Sequence, residues 1–191
     1  MQCSDFVPGP WPGQRIIGSL FELQPHLTGD LLDLRPLQPA DWEALFRAAS
    51  DPLIWELHPV SDRWKEEIFR QYFREGLECG GAFAVIDRET GEMIGSSRYS
   101  NLKPEESEIE IGSTFLVRSR WGGIWNGEMK RLMLDHAFRF VDTVVFRIGT
   151  DNLRSRRAIE KIGGVLTDRV EIVNLQGRSI EHVVYAIRRN K

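Results

Sequence analysis

The sequence predicts a mixed α/β domain of the α+β type, whose sheet is mostly antiparallel with about six to seven strands and about four flanking helices. Three observations support this prediction. A strand pattern near residue 31 is followed by two helical patterns, and three strand patterns then follow without a helix between them. A strand–helix–strand unit, a further short helix and two closing strands complete the chain. Strand runs combined with one helical crossover indicate a mixed sheet.

The first half begins with the predicted strand Leu31 to Leu37, which is rich in leucine and closed by proline. Two segments with apolar residues at helical spacing follow, Ala40 to Ala49 and Asp62 to Leu77. The spacing places Trp42 and Trp64 on the packed faces of these helices. We therefore expect two helices between the first strand and the second.

The middle of the chain reads as strands. Ala82 to Ile86 is a compact apolar run, and a turn leads to a return strand beginning at Met93 to Gly95, which together predict a hairpin. The next strand spans Glu108 to Val117, with isoleucines on one face and glutamates on the other.

The second half has the clearest helix of the chain, Asn126 to Phe140, whose apolar residues recur at one helical face. Val144 to Ile148 is a buried type of strand, and Arg154 to Ile162 is a short helix closed by two glycines. Val165 to Val173 and His182 to Ile187 are the closing strands.

Composition limits the classes of function. The 191 residues carry a formal net charge of -3, whereas nucleic-acid binders usually have a basic excess. The two cysteines form no CxxC pair, and the four histidines lack metal-ligand spacing, so we expect no metal. No signal peptide and no membrane-spanning run occur, which favours a cytoplasmic protein.

Residues 1–28 contain four prolines and several glycines and are predicted to be an irregular N-terminal extension. The domain itself is expected to cover residues 29–191.

A glycine-rich junction lies between the strand ending at Val117 and the long helix. Glycines let the backbone approach a ligand closely, and the free amides and dipole of a helix N-terminus favour phosphate. Arg118 and Arg120 add positive charge beside Gly122 and Gly123. The alternative is a tight turn that binds nothing.

A second strand-to-helix junction contains Asn152 and Ser155, which could contact an extended cofactor. The alternative is that Asn152 or Asp151 only caps the helix.

Taken together, the two junctions resemble the GNAT acetyltransferases, in particular the branch of the ribosomal-protein N-terminal acetyltransferases. The resemblance covers about residues 29–188. It is carried by a block Trp-Gly-x-x-x-Asn-x-Glu-x-Lys at Trp121, Gly122, Asn126, Glu128 and Lys130, and by a block Asn-x-x-Ser-Arg-x-Ala-Ile-Glu at Asn152, Ser155, Arg156, Ala158, Ile159 and Glu160.

The resemblance implies the GNAT fold and acetyl-CoA as co-substrate. In this family the strand before the glycine turn diverges from its neighbour, and its backbone binds the pantetheine arm; here that is Phe115, Leu116 and Val117. Asn152 and Ser155 would face the far side of the arm. The pyrophosphate would lie on the turn Arg120, Trp121, Gly122, Gly123, Ile124, Trp125 and Asn126. Ile124 replaces a common glycine, and isoleucine tolerates positive φ poorly.

The resemblance also implies direct attack of a neutral amine on the thioester. Glu110 is the first candidate for the base and Glu108 the second, although both could be solvated strand glutamates. A backbone amide near Leu116 or Val117 would stabilise the oxyanion. The tyrosine that many members use as general acid is replaced by Ile159, and Ser155 is a candidate substitute.

The acceptor is expected to be a primary amine, either a protein N-terminus or a small molecule, with an α-amine the easier substrate because its pKa is near ~8. Candidate acceptor-binding residues are Trp55, His58, Arg98 and Tyr99. His58 could equally cap or pack. A homodimer is compatible with the family, and no nucleic acid or membrane partner is expected. The alternatives are an acyl-CoA-binding module without transferase activity and a scaffold that has lost the cofactor.

Overall fold

The computed structural model describes residues 21–175 and 178–190. Within this part of the chain, eight strands form one sheet in the order β1-β2-β3-β4-β5-β6-β8-β7. The strands are β1 (Leu27–Thr28), β2 (Leu32–Pro36), β3 (Ala82–Asp87), β4 (Met93–Lys103), β5 (Glu108–Leu116), β6 (Thr143–Gly149), β7 (Val165–Leu175) and β8 (Arg178–Arg188).

The sheet is antiparallel except where β5 meets β6. These two strands run parallel and pair only over Glu108 to Glu110 and Thr143 to Val145. Beyond these residues β5 and β6 diverge, so the sheet is split between them. The predicted mixed, mostly antiparallel sheet is confirmed, with the two-residue strand β1 added at one edge.

Four α-helices flank the sheet, as predicted. They are α1 (Trp42–Ala49), α2 (Glu66–Glu78), α3 (Trp125–Ala137) and α4 (Leu153–Glu160). The predicted start of the second helix at Asp62 is wrong, because residues 62–65 form turns before α2 begins. Trp64 therefore precedes the helix and is 37% exposed, which contradicts its predicted packing role.

Two apolar cores lie on opposite faces of the sheet. One packs α3 and Ile159 of α4 against the sheet and includes Ile109, Ile111 and Leu116. The other packs α1 and α2 against β3 and includes Phe115. Two consecutive residues of β5 thus serve the two cores, and the predicted alternation of isoleucines and glutamates along the start of β5 is observed.

Residues 21–28, assigned to the extension, lie against the domain. Leu27 and Thr28 pair with Leu34 and Asp33 of β2. Phe21 packs edge-on against Tyr99, with the ring centroids 5.2 Å apart. The structure therefore places the last part of the predicted extension on the sheet.

Candidate active site

The N-terminus of α3 faces open space. Gly122 has φ of 70°, which an L side chain rarely adopts, and Cβ atoms added at Gly122 or Gly127 would meet nothing within 4 Å. Among the residues that the structure describes, no side chain caps the helix, whose N-cap residue is Ile124. The first amides of α3 therefore lack both intrahelical and capping partners, which is the arrangement that binds phosphate groups.

Ile124 fits this turn without strain. It has φ of -77° and ψ of -17°, in the right-handed helical region. Its side chain is 67% exposed and points away from the core. The replacement of the common glycine therefore does not require the positive φ that isoleucine disfavours.

The arginines of the turn are already paired. Arg120 Nη2 donates to the buried Asp87 carboxylate at 2.6 Å and its guanidinium covers the Trp125 ring at 4.5 Å. Arg118 Nε donates to Asp51 at 2.5 Å. Both guanidiniums anchor the turn to neighbouring segments, so the backbone amides are the free donors toward an anion.

Only one of the three predicted pantetheine-binding residues directs its backbone into the split. The Val117 amide donates to Ile94 O of β4 at 2.8 Å. Alternate residues of a strand point their polar groups to opposite sides, so the Leu116 amide and carbonyl face β6, whereas those of Phe115 and Val117 face β4. Trp121 Nε1 donates to Leu116 O at 2.8 Å, and the Leu116 amide remains directed into the split.

A β-bulge produces this arrangement. Ser96 pairs with Phe115 and Arg98 with Gly112, so β5 has one extra residue over this stretch. Ser113 has φ of 47° there. The bulge turns Phe115 and Leu116 to the opposite faces from those that strict alternation predicts, and it lies where β5 leaves β6.

Asn152 caps α4, because its Oδ1 accepts from the Ser155 amide at 3.2 Å, and it is only 7% exposed. The same residue lines a cleft of about 390 Å³, between the loop 56–59, the β6–α4 junction and the β7–β8 hairpin. The capping role considered from the sequence is therefore observed, and the cleft lies beside it. The cleft is lined by Glu56, Leu57, His58, Pro59, Gly149, Thr150, Asp151, Asn152, Ser179, Ile180 and Glu181.

Glu108 and Glu110 are buried and ion-paired. Glu108 is held by Arg169 at 2.6 and 3.2 Å, and Glu110 Oε2 accepts from Asn101 at 2.6 Å and Arg147 at 2.5 Å. The two glutamates are 5% and 8% exposed. The alternative that they are solvated is therefore wrong. Glu110 Oε1 lies over Gly112, 3.0 Å from where a Cβ would be.

Three of the four predicted acceptor-binding residues come together on the α2 face. Trp55 packs edge-on against His58 at 5.7 Å, and both Arg63 and Arg98 lie over the Tyr72 ring at 5.0 Å. Sequence reasoning missed Arg63 and Tyr72, although Tyr72 stands on the apolar stripe of α2.

Tyr99 lies apart from this group, on the α3 face. It is fully buried, and its hydroxyl donates to Met133 O at 2.5 Å. Burial raises the pKa of the Tyr99 phenol. As neighbours on β4, Arg98 and Tyr99 must point to opposite faces, so Tyr99 is a core residue rather than a neighbour of Trp55 and His58.

His58 is neutral at physiological pH. Burial, followed by the positive charge of Arg63, lowers the pKa of its imidazole to about 3. Nδ1 accepts from the Val60 amide at 2.9 Å. The ring is thus suited to shape the loop that lines the cleft, and it does not exchange protons near pH 7.

The position of the family's acid tyrosine is apolar. Ile159 is 5% exposed and belongs to the α3-side core. Ser155, the candidate substitute, lies half-buried in the first turn of α4.

Among the described residues, no group of three or more His, Cys, Asp or Glu side chains could hold a metal ion. In the same ranges no helix is long and apolar enough to span a membrane.

Solved structures with a similar fold include proteins described as acetyltransferases. A putative acetyltransferase from T. thermophilus has a TM-score of 0.71 and 29% identity, covering 85% of this chain and 88% of its own. A putative ribosomal-protein-serine acetyltransferase from Vibrio cholerae has a TM-score of 0.70 and 11% identity, covering 86% and 97%. Mycobacterium smegmatis RimJ, solved with CoA-disulfide, has a TM-score of 0.61 and 19% identity, covering 82% and 81%.

The mostly antiparallel sheet, split between β5 and β6, is thus the fold of these acetyltransferase structures. The acetyltransferase (GNAT) domain model matches residues 32–165, and the chain belongs to this family. Membership implies acyl-CoA-dependent acetyl transfer. No curated protein matches the sequence.

Proposed function

We propose that this protein is an acetyl-CoA-dependent N-acetyltransferase that transfers an acetyl group to a primary amine by direct attack in a ternary complex. The observation that carries the proposal is the split between β5 and β6, which begins after Glu110 and ends beside the uncapped N-terminus of α3. This combination offers an extended slot next to an anion-binding turn.

The residues of the slot fit coenzyme A. The amides at the start of α3 and the open space over Gly122 and Gly127 would hold the pyrophosphate. Leu116 would lie beside the acyl end of the pantetheine arm, and Asn152 and Ser155 would lie on the other side of the arm. When bound, the co-substrate supplies the activated acetyl thioester.

The amine would enter through the cleft between residues 56–59 and 179–181. Glu56, Asp151 and Glu181 line it, and within the described part of the chain only Glu56 of these is paired with an arginine, Arg154 at 3.3 Å, so the charge of the cleft favours a cationic amine. A protein N-terminus suits such an entrance, and the V. cholerae neighbour is described as a ribosomal-protein-serine acetyltransferase. A small-molecule amine is the other acceptor class that this cleft accommodates.

The chain's own groups would then serve the reaction. Glu110 would accept a proton from the amine through Oε1 or a water, because Oε2 is bound by Arg147 and Asn101. The Leu116 amide would donate to the developing oxyanion. The amine nitrogen would become acetylated as the C–S bond breaks, and the Ser155 hydroxyl would protonate the leaving thiolate.

Calorimetry of acetyl-CoA binding tests the cofactor site first. Micromolar binding by wild type, weakened by Gly122→Asp and by Asn152→Ala, is the expected result. Absence of binding by wild type would contradict the transferase proposal and favour a scaffold that has lost the cofactor. Binding without turnover on any amine would favour the acyl-CoA-binding module.

The assignment of the base is tested by substitution. Glu110→Gln is expected to lower kcat/KM at pH 7 by at least about 100-fold, because it removes the proton acceptor. Glu108→Gln is the matched control, since it removes an equally buried, arginine-paired carboxylate from the same strand. Steady-state assays with N-terminal peptides and small amines supply the measurement; a larger loss in Glu108→Gln would reverse the assignment.

A cytoplasmic location and a homodimer remain predictions of the sequence and the family. Fractionation of cells and the molar mass from light scattering would test them.

A further inference from the structure

Lys130 is a buried lysine without a carboxylate partner among the described residues. It stands in the second turn of α3 and is 2% exposed. Buried lysines are normally paired with acids, since an unpaired ammonium loses its hydration without compensation. Such a position therefore needs an explanation.

The ammonium group has three donors and meets three acceptors. Nζ lies 2.7 Å from Thr114 Oγ1 and 3.3 Å from Ser97 Oγ. It also lies 5.6 Å from the centroid of the Phe146 ring, whose face attracts cations. Lysine has three N–H donors, so two hydroxyls and one aromatic face account for the whole group.

These acceptors belong to three different strands at the split. Ser97 is on β4, Thr114 is in the bulge of β5, and Phe146 is the first residue of β6 after its last pair with β5. Thr114 and Ser97 are also joined to each other, with their hydroxyl oxygens 2.7 Å apart. Lys130 thus connects α3 to both sides of the split where the strands diverge.

The bulge determines the direction of the Leu116 amide, because Leu116 follows Thr114 of the bulge by two residues. If Thr114 moved, β5 could return to regular pairing and turn the Leu116 amide toward β4. Resting on the proposed function, we propose that Lys130 is a positioning residue that holds the β5 bulge and so keeps the Leu116 amide directed at the reacting thioester.

The test compares kcat with acetyl-CoA binding in matched variants. Lys130→Met keeps an unbranched side chain but removes the donors, and Thr114→Val removes the principal acceptor. Thr114→Ser restores the hydroxyl, and Lys161→Met removes an exposed lysine as control. We expect Lys130→Met and Thr114→Val to lower kcat by at least about tenfold, because a misdirected oxyanion donor slows the chemical step.

The Kd for acetyl-CoA, measured by calorimetry, should change by less than about threefold in these variants, because the turn that would hold the pyrophosphate is untouched. Thr114→Ser should recover most of kcat, and the double variant should be no slower than either single variant, since both remove one interaction.

An unchanged kcat in Lys130→Met, or equal kcat in Thr114→Val and Thr114→Ser, would overturn this proposal while leaving the proposed function intact. If Lys130→Met fails to fold, the comparison of the two Thr114 variants decides alone. Wild type that neither binds nor uses acetyl-CoA would instead overturn the proposed function, and this inference with it.

Discussion

Charged side chains around the slot between β5 and β6 are almost all in ion pairs or packed on aromatic rings. Such charges stabilise the structure and are not available to a ligand. Arg120 is bound to Asp87, Glu108 to Arg169, and Arg154 packs over Trp121 at 4.1 Å. Each of these pairs fixes a segment of the slot wall. Among the described residues, the groups left for ligand chemistry are therefore mainly backbone amides, the second carboxylate oxygen of Glu110 and the Ser155 hydroxyl.

The neutral state of His58 predicts a pH dependence of stability. Its folded pKa is about 3, whereas an unfolded histidine titrates near 6.5, so the unfolded chain binds the extra proton between these values. Wild type should lose about 1–2 kcal/mol of unfolding free energy relative to His58→Asn between pH 7 and pH 5. Asparagine keeps an acceptor for Val60 but does not titrate. Urea unfolding at several pH values measures the difference, and parallel curves would contradict it.

Lys130 predicts a pH dependence of stability in the alkaline range, whereas that of His58 lies in the acidic range. Burial lowers its pKa to about 7 from 10.5, and Ser97, Thr114 and Phe146 around the amine carry no charge. Between about pH 7 and pH 10 the unfolded chain therefore binds more protons than the folded chain. The free energy cost of burying the ammonium is complete below pH 7 and decreases as the pH rises toward 10. Wild type should gain stability relative to Lys130→Met between pH 7 and 10. Chemical unfolding of both proteins across this range is the measurement, and a constant difference would argue against it.

Sequence reasoning about single residues succeeded where one local rule applied. In the predicted helix Asn126 to Phe140 the helical spacing puts His136 on the apolar face, and in the structure His136 is 4% exposed with Nε2 2.8 Å from Glu22 O. Arg98 and Tyr99 were grouped, yet alternation along β4 separates them. Lys130 was read only as part of a resemblance, although it precedes Met133 and Leu134 by one helical turn on the buried stripe. Its partners lie far away in the sequence, so no local pattern could supply them.

At the scale of elements, α3 is tied to the first strands through Glu128. Its two carboxylate oxygens accept from the amides of Asp30 at 2.5 Å and Leu31 at 2.9 Å, just before β2. Gly29 allows this approach, because a Cβ there would lie 2.6 Å from the carboxyl group. The glutamate of the Trp-Gly block thus has a structural role in this protein.

Removing this link should destabilise the domain. Glu128→Ala is expected to cost about 2–3 kcal/mol, because two backbone amides lose charge-assisted partners. Asp135→Ala on the same helix removes an exposed carboxylate and should cost less than about 0.5 kcal/mol. Thermal or urea unfolding compares the two; equal effects would show that the link contributes nothing specific.

Most elements could be predicted because their hydrophobic periods are strong, as in α3 and β6. The β5 bulge could not, since Ser113 carries no sequence signal for a positive φ and the extra residue is visible only in the pairing with β4. Strand β1 was missed for a related reason: two residues are too few to show a period, and β1 exists only because β2 offers an edge.

At the scale of the whole molecule, the split divides the sheet into two parts. Strands β1 to β5 lie on one side, and β6 to β8 on the other, joined by three residue pairs between β5 and β6. Across the open face, Arg147 links Glu110 to Glu171 at 2.5 and 2.7 Å, and Lys130 contributes from the α3 side. The order of elements predicted the mixed sheet, but the depth of the split depends on the bulge and on these long-range contacts.

A molecule divided in this way should be stabilised as a whole by the ligand that fills the split. At a free acetyl-CoA concentration of 100 times Kd, the unfolding free energy should rise by about 2.7 kcal/mol. Hydrogen exchange should slow within residues 111–116 and 146–149, because the amides of these strands that face the split gain a partner or lose access to water. Gly122→Asp, which places a carboxylate where the pyrophosphate would lie, should show neither effect at the same concentration. Equal stabilisation of both proteins, or slower exchange confined to regions away from the split, would mean that the ligand binds elsewhere.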